Sequence, residues 1–263
     1  MFKSQGTFKH LTVPAQATPS VLRSEPTVGL QIVDTLIVGF NPNWAPYSML
    51  TAENRIAGFE IEIVEQVAKR VGLQVRFEPA LFARTIADLK VGRIHVSTGV
   101  SKTPDRQKIF QFARSYGRFD RVVFVNADRD DIGGSDARQV IESLQGKKLG
   151  VLAFGVELEV MRTLGIELVE TSNLKRCLEL LLMRQLDACS TVREVGDYFT
   201  KEHGLAVKKI DVVLTSHPYA TAFSPMVSAE FIERYNAARE ELEAEGAIDQ
   251  LRARWFGEEQ EGR

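Results

Sequence analysis

The chain has 263 residues, 44% hydrophobic and 26% charged, which suits one large globular domain or two medium ones. Its formal net charge of -2 gives no support to nucleic acid or an anionic membrane surface as partner. No stretch approaches the roughly 18 consecutive apolar residues that a membrane-spanning helix needs, so the chain is expected not to span a membrane.

Residues 1–33 are rich in Thr, Ser, Pro and Gln with no sustained period, and are expected to form a flexible N-terminal extension. The first 20 lack the apolar core of a secretory signal, which leaves open whether a signal was removed or the protein stays in the cytoplasm. A buried strand is predicted over Asp34–Phe40, ended by the turn-forming Asn41-Pro42-Asn43. From Gly58 to Val71 the apolar residues Ile63, Val64, Val67 and Val71 form one helical stripe, with Gly72 placed to cap it. A strand at Gln74–Glu78, a helix at Arg84–Val91 and a strand at Ile94–Ser97 follow.

After a strand at Val122–Val125 the alternation resumes. Helices at Asp136–Leu144 and Val156–Leu164 precede strands at Lys148–Leu152 and Glu167–Thr171. Asn173 reads as the N-cap of a helix running through Leu182 and Arg184, and a strand at Asp187–Ser190 comes next. Ser228 opens a long amphipathic helix to about Glu245. Gly246 breaks it, and a last helix carries Ile248, Leu251 and Trp255. Strands alternating with helices through short links imply an α/β protein with mostly parallel sheets and helices on both faces.

Cys177 and Cys189 fall in a helix and the strand after it. They could meet in a disulfide, but the expectation is two separate, buried small hydrophobes. His10, His95, His203 and His217 are scattered without ligand spacing, and the glycine patterns of nucleotide sites are missing, so no cofactor and no metal is expected.

Several segments, in this order, resemble the type II periplasmic solute-binding proteins of the amino-acid (family 3) group. Gly58-Phe-Glu-Ile-Glu-Ile63 is similar to that family's Gly-Phe-Asp-Val-Asp-Leu. Ile86-Ala-Asp-Leu-Lys-Val-Gly-Arg-Ile94 resembles its helix-to-strand segment, and Thr103-Pro-Asp-Arg106 its Thr-Pro-Glu-Arg. Gln111-Phe-Ala113, Ser115-Tyr116, Gly146-Lys-Lys-Leu-Gly-Val151, Leu186-Asp-Ala188 and Arg254-Trp-Phe-Gly257 also fit, so the likeness runs from about Asp34 to Gly257. It implies a two-lobed type II periplasmic-binding-protein fold. Lobe 1 would comprise 34–123 and 217–263, lobe 2 would comprise 124–216, and two crossing strands would form the hinge.

The resemblance also implies a site in the cleft. Arg106 would take a ligand carboxylate through two parallel hydrogen bonds, a fork that lysine lacks. Gly99 and Ser101 would lay backbone and hydroxyl against the same carboxylate, while Trp44 and Phe82 would sandwich the rest of the ligand. Asn41 stands where some members carry an acid for a basic ligand side chain, which argues against a lysine- or arginine-like ligand.

The second half departs from the family. The aspartate that holds an α-ammonium falls at Val192, and the hydroxyl-rich turn before a helix reads Phe154-Gly155-Val156, leaving backbone N–H groups at Gly155 and Val156. An ammonium buried against valine lacks its counter-charge. The ligand is therefore expected to keep a carboxylate but to lack a standard α-ammonium, or to have it held differently. Arg193 could supply a second positive group for a dicarboxylate or oxo-acid, or simply be exposed. Glu194 could meet an amine if the register is shifted by two.

The expected function is an extracytoplasmic receptor, a monomer that delivers its ligand to an ABC permease. Two alternatives stay open: a ligand-sensing module of a signalling system, and a cyclohexadienyl-dehydratase-like enzyme, which would need a positioned acid in the pocket.

Overall fold

The computed structural model describes residues 34–153, 161–162 and 164–257. The expected N-terminal extension, the turn at Gly155 and Val156, and most of the helix expected over Val156–Leu164 lie outside them.

The chain opens with β1 (Thr35–Phe40) and a small antiparallel sheet of β2 (Asn43–Trp44), β3 (Ser48–Leu50) and β4 (Ile56–Ala57). Helix α1 (Phe59–Arg70) follows, with Glu60 and Glu62 in its first turn and Lys69 and Arg70 in its last, matching its dipole at both ends. It buries Phe59, Ile63, Val64 and Val67, and Gly72 ends it at φ 76° as the sequence suggests. Then come β5 (Gln74–Pro79), α2 (Phe82–Lys90), β6 (Val96–Ser101), the single turn α3 (Pro104–Gln107) and β7 (Gln111–Phe112). Strand β1 lies parallel between β5 and β6.

Gly58, just before α1, sits at φ 135°, and a Cβ there would fall 2.3 Å from the Tyr47 carbonyl oxygen. Only glycine fits this close approach. It presses the β2–β3 loop, which follows Trp44 and carries Tyr47, against the start of α1.

A second parallel set follows the long strand β8 (Gly117–Asn126). Helix α4 (Ala137–Ser143) precedes β9 (Lys148–Leu152). Strand β10 (Glu167–Thr171) leads through α5 (Leu174–Leu182) to β11 (Ala188–Val192), and α6 (Arg193–Glu202) to β12 (Val207–Phe223). Strand β9 lies parallel between β10 and β11. The Asn173 side chain accepts from Arg176 N at 2.9 Å, the N-cap the sequence predicts. Helices α7 (Ala229–Ala244) and α8 (Ala247–Phe256) return to pack on α1.

The sheet order is β10-β9-β11-β8-β12-β6-β1-β5. The two parallel sets are thus bridged by the antiparallel pair β8–β12, whose register shifts between Ile210 and Thr215. An aromatic cluster braces this bridge. Phe119 of β8 stacks on Tyr219 of β12 with centroids 4.0 Å apart, and Tyr47 meets both edge-on at 5.0 and 5.4 Å.

One expectation is corrected. Cys177 of α5 and Cys189 of β11 are not separate thiols but a disulfide. Both are buried, and the packing of α5 on β11 brings their Cα atoms to 6.1 Å, within disulfide reach.

Candidate functional site

The parallel sets present their carboxyl-terminal strand ends to a shared cleft, the usual place for a ligand in an open α/β sheet. A cavity there holds about 410 Å³ of atom-free space, part of it open to solvent. Six of the residues expected from sequence line it together: Asn41, Trp44, Phe82, Gly99, Ser101 and Arg106.

Arg106 is held from three sides. Thr103 Oγ1 accepts from Arg106 N at 3.3 Å, so the N-cap of α3 fixes its backbone. Its Nη1 donates to the Ser101 carbonyl at 3.3 Å, and its guanidinium lies 5.2 Å from the Phe82 ring centroid. The helix predicted from Arg84 starts two residues earlier, so Phe82 opens α2 and its ring is set by a helix as a platform for this cation.

Gly99 plays a different part from the expected one. Its N–H is turned inward and donates to Glu60 Oε1 at 2.9 Å. A Cβ at Gly99, where φ is 64°, would fall 2.9 Å from Glu60 Oε2. Glu60 therefore shapes the end of β6 from behind the cleft wall. Burial pushes its carboxyl up to about 8, only partly opposed by the Gly99 N–H. Asn41 spends its side-chain oxygen on Asn43 N at 3.1 Å, holding the turn that carries Trp44.

The site also contains a residue that sequence reasoning missed. Arg121 of β8 lines the cavity and is 95% buried, being 5% exposed. It shares a face with Phe119, two residues earlier, and is the direct cross-strand partner of Val192, so the two side chains stand on the same face of the sheet. Arg106 and Arg121 bring two guanidinium groups to this end of the cleft. Their charges add, after burial itself, to holding the His217 imidazole below its ordinary range.

Val192 and Arg193 are not brought to the cavity wall. Val192 is fully buried at the end of β11. Arg193 points to the strand behind, its Nε 3.0 Å from Asp211 Oδ1, so the second positive group is Arg121 rather than Arg193. Glu194 also stays off the wall. It is half-buried, and burial raises its carboxyl. Among the described residues no cluster of His, Cys, Asp or Glu could hold a metal ion, and no helix is long and apolar enough to cross a membrane.

The model of the bacterial extracellular solute-binding proteins, family 3, matches residues 36–258. The chain belongs to that family. Among similar proteins, a probable amino-acid ABC transporter-binding protein of Haemophilus influenzae is 25% identical over 227 residues, covering 85% of each chain. The arginine-binding extracellular protein ArtP of Bacillus subtilis is 21% identical, covering 84% of this chain and 86% of its own. An ancestral arginine-binding protein bound to glutamine superposes with a TM-score of 0.80 and 26% identity, over 87% of this chain and all of that one. This family 3 protein thus has the two-lobed periplasmic-binding-protein fold, and its relatives are binding proteins for amino acids.

Proposed function

We propose that this solute-binding protein is the extracytoplasmic, monomeric receptor of an ABC permease. Its ligand is a small carboxylate without a standard α-ammonium, such as an oxo-acid. Lobe 1 is taken as 34–123 with 217–263 and lobe 2 as 124–216, hinged on β8 and β12. The observation that carries the reading is Arg106, locked by Ser101, Thr103 and Phe82 at the cleft wall with its charge toward the cavity.

Arg121 supports the finer statement about the amine. The Val192 end of the cleft holds the buried Arg121 guanidinium across the strand pair, and Val192 itself offers an ammonium no counter-charge. A carbonyl or hydroxyl oxygen suits that place, because it accepts what a guanidinium donates. A binding role rather than catalysis fits the same wall. Neither of the two nearby acids, Glu60 and Glu194, lines the cavity, and Glu60 is turned to the Gly99 N–H.

Val192→Asp tests this reading. The new carboxylate stands across the strand pair from Arg121 and adds a negative charge at the end of the cleft where an amine would sit. The affinity ratio of norvaline to its isostere 2-oxopentanoate, measured by titration calorimetry, is expected to rise at least tenfold, about 1.4 kcal/mol. An unchanged ratio in a folded variant would remove position 192 from the amine's surroundings.

A further inference from the structure

Beyond the main cavity the cleft holds a narrow second chamber, about 200 Å³ of atom-free space counting what is open to solvent. It sits at the carboxyl ends of β9, β10 and β11, against the first turn of α5. Trp44 and Leu152 line both spaces, so they form the threshold between them. The other walls are Thr171, Leu174, Cys177, Ser190 and Thr191.

The chemistry of these walls is specific. None of the seven described lining residues is charged, so an ionic group would enter without compensation. A wholly apolar group would fit Leu152, Leu174 and the disulfide, yet one wall atom argues against it. Ser190 is 3% exposed, and its Oγ has no hydrogen-bond partner among the described residues. Thr171 Oγ1, by contrast, is committed to the Val151 carbonyl at 3.1 Å. A buried hydroxyl left unmatched is costly, and native interiors keep few of them without reason.

We infer that the chamber is a distal subsite that takes the neutral, hydrogen-bonding end of the ligand, a hydroxyl, carbonyl or amide, with Ser190 as its specificity residue. This rests on the reading that Arg106 anchors the ligand's carboxylate. The ligand would then reach from the Arg106 wall, past Trp44 and Leu152, into lobe 2. Its length is set by that path, and closure of the lobes buries both ends.

The test is a calorimetric series of straight-chain ω-hydroxy acids of four to eight carbons, each paired with the unsubstituted acid. At one chain length the ω-hydroxy acid is expected to bind at least fivefold tighter than its partner. Ser190→Ala, with folding checked by its melting curve, should bring that preference below twofold. If no chain length shows a preference, or if Ser190→Ala leaves the preference intact, the chamber holds water only and the inference is overturned. Plain acids that bind without any hydroxyl preference would sink the subsite and leave the carboxylate reading standing. If none of the acids binds, both fall.

Discussion

Arg106→Ala is expected to weaken binding of 2-oxopentanoate by about a hundredfold or more, and Arg106→Lys by about tenfold. Hydrogen bonds to a charged group contribute roughly 1.5–3 kcal/mol each, and alanine removes two of them together with the charge. Lysine restores the charge but not the planar fork, so it recovers only part. The residue's surroundings sharpen the comparison. Its contacts to Ser101 and Phe82 hold one side of the guanidinium, so the rotamer is fixed before ligand arrives and little entropy is lost on binding. Titration calorimetry on variants with unchanged melting curves reads the effect, and wild-type affinity in Arg106→Ala would remove the residue from the site.

The second large effect concerns Glu60. Its folded carboxyl titrates at about 8, while in the unfolded chain it titrates near the ordinary value of about 4.3. Below the lower value both states are protonated, so the group does not affect stability. Between the two, the unfolded chain releases the proton and the folded one keeps it, so stability falls as pH rises. Above about 8 the loss is complete, on the order of 3–5 kcal/mol. Glu60→Gln mimics the protonated form and keeps an acceptor for Gly99 N. Melting temperatures from pH 5 to pH 9 should therefore diverge, the wild type falling by several degrees relative to the variant. Parallel curves would show that Glu60 is ionised in the fold or that its burial is relieved. Ionised Glu60 also puts a negative charge behind Gly99 at the end of β6, so carboxylate affinity should weaken over the same range.

The fold was legible because its main elements carry their own period. The α1 stripe, the Asn173 and Ser228 caps and the strand runs of β1, β5, β9 and β10 appear where the sequence places them, while β6 and β11 run past their expected ends to Ser101 and Val192. What escaped is set by tertiary contact. The first half of β8 reads Gly-Arg-Phe-Asp-Arg, too polar for a strand by composition, and is held by β12 and the Phe119–Tyr219 stack. The 17-residue β12 contains Pro218 and a charged start, for the same reason. Arg121 was hidden with that strand. Its signal was there, an arginine alternating with Phe119 and Val123 on one face, but it becomes visible only once the strand is extended back to Gly117.

Within the site, the residues legible from sequence were those on local motifs, above all Arg106 behind its Thr103-Pro104 cap. Gly99 was placed correctly but misassigned in role, because its partner Glu60 lies 39 residues away. Arg193 was a matter of direction. It follows Val192 at the strand end, and the start of α6 turns it toward Asp211 on β12 rather than into the cleft.

The most direct test of the carboxylate claim is a thermal-shift screen of the full chain. It compares the twenty amino acids with their 2-oxo analogues, hydroxy acids and dicarboxylates. A ligand present at 100 times its dissociation constant adds about 2.7 kcal/mol, roughly 5–10 °C for a chain of this size. Stabilisation by acids without an amine, lost in Arg106→Ala, is the predicted result. Stabilisation by α-amino acids alone would contradict the reading of the Val192–Arg121 end of the cleft. No shift with any acid would contradict the carboxylate site itself.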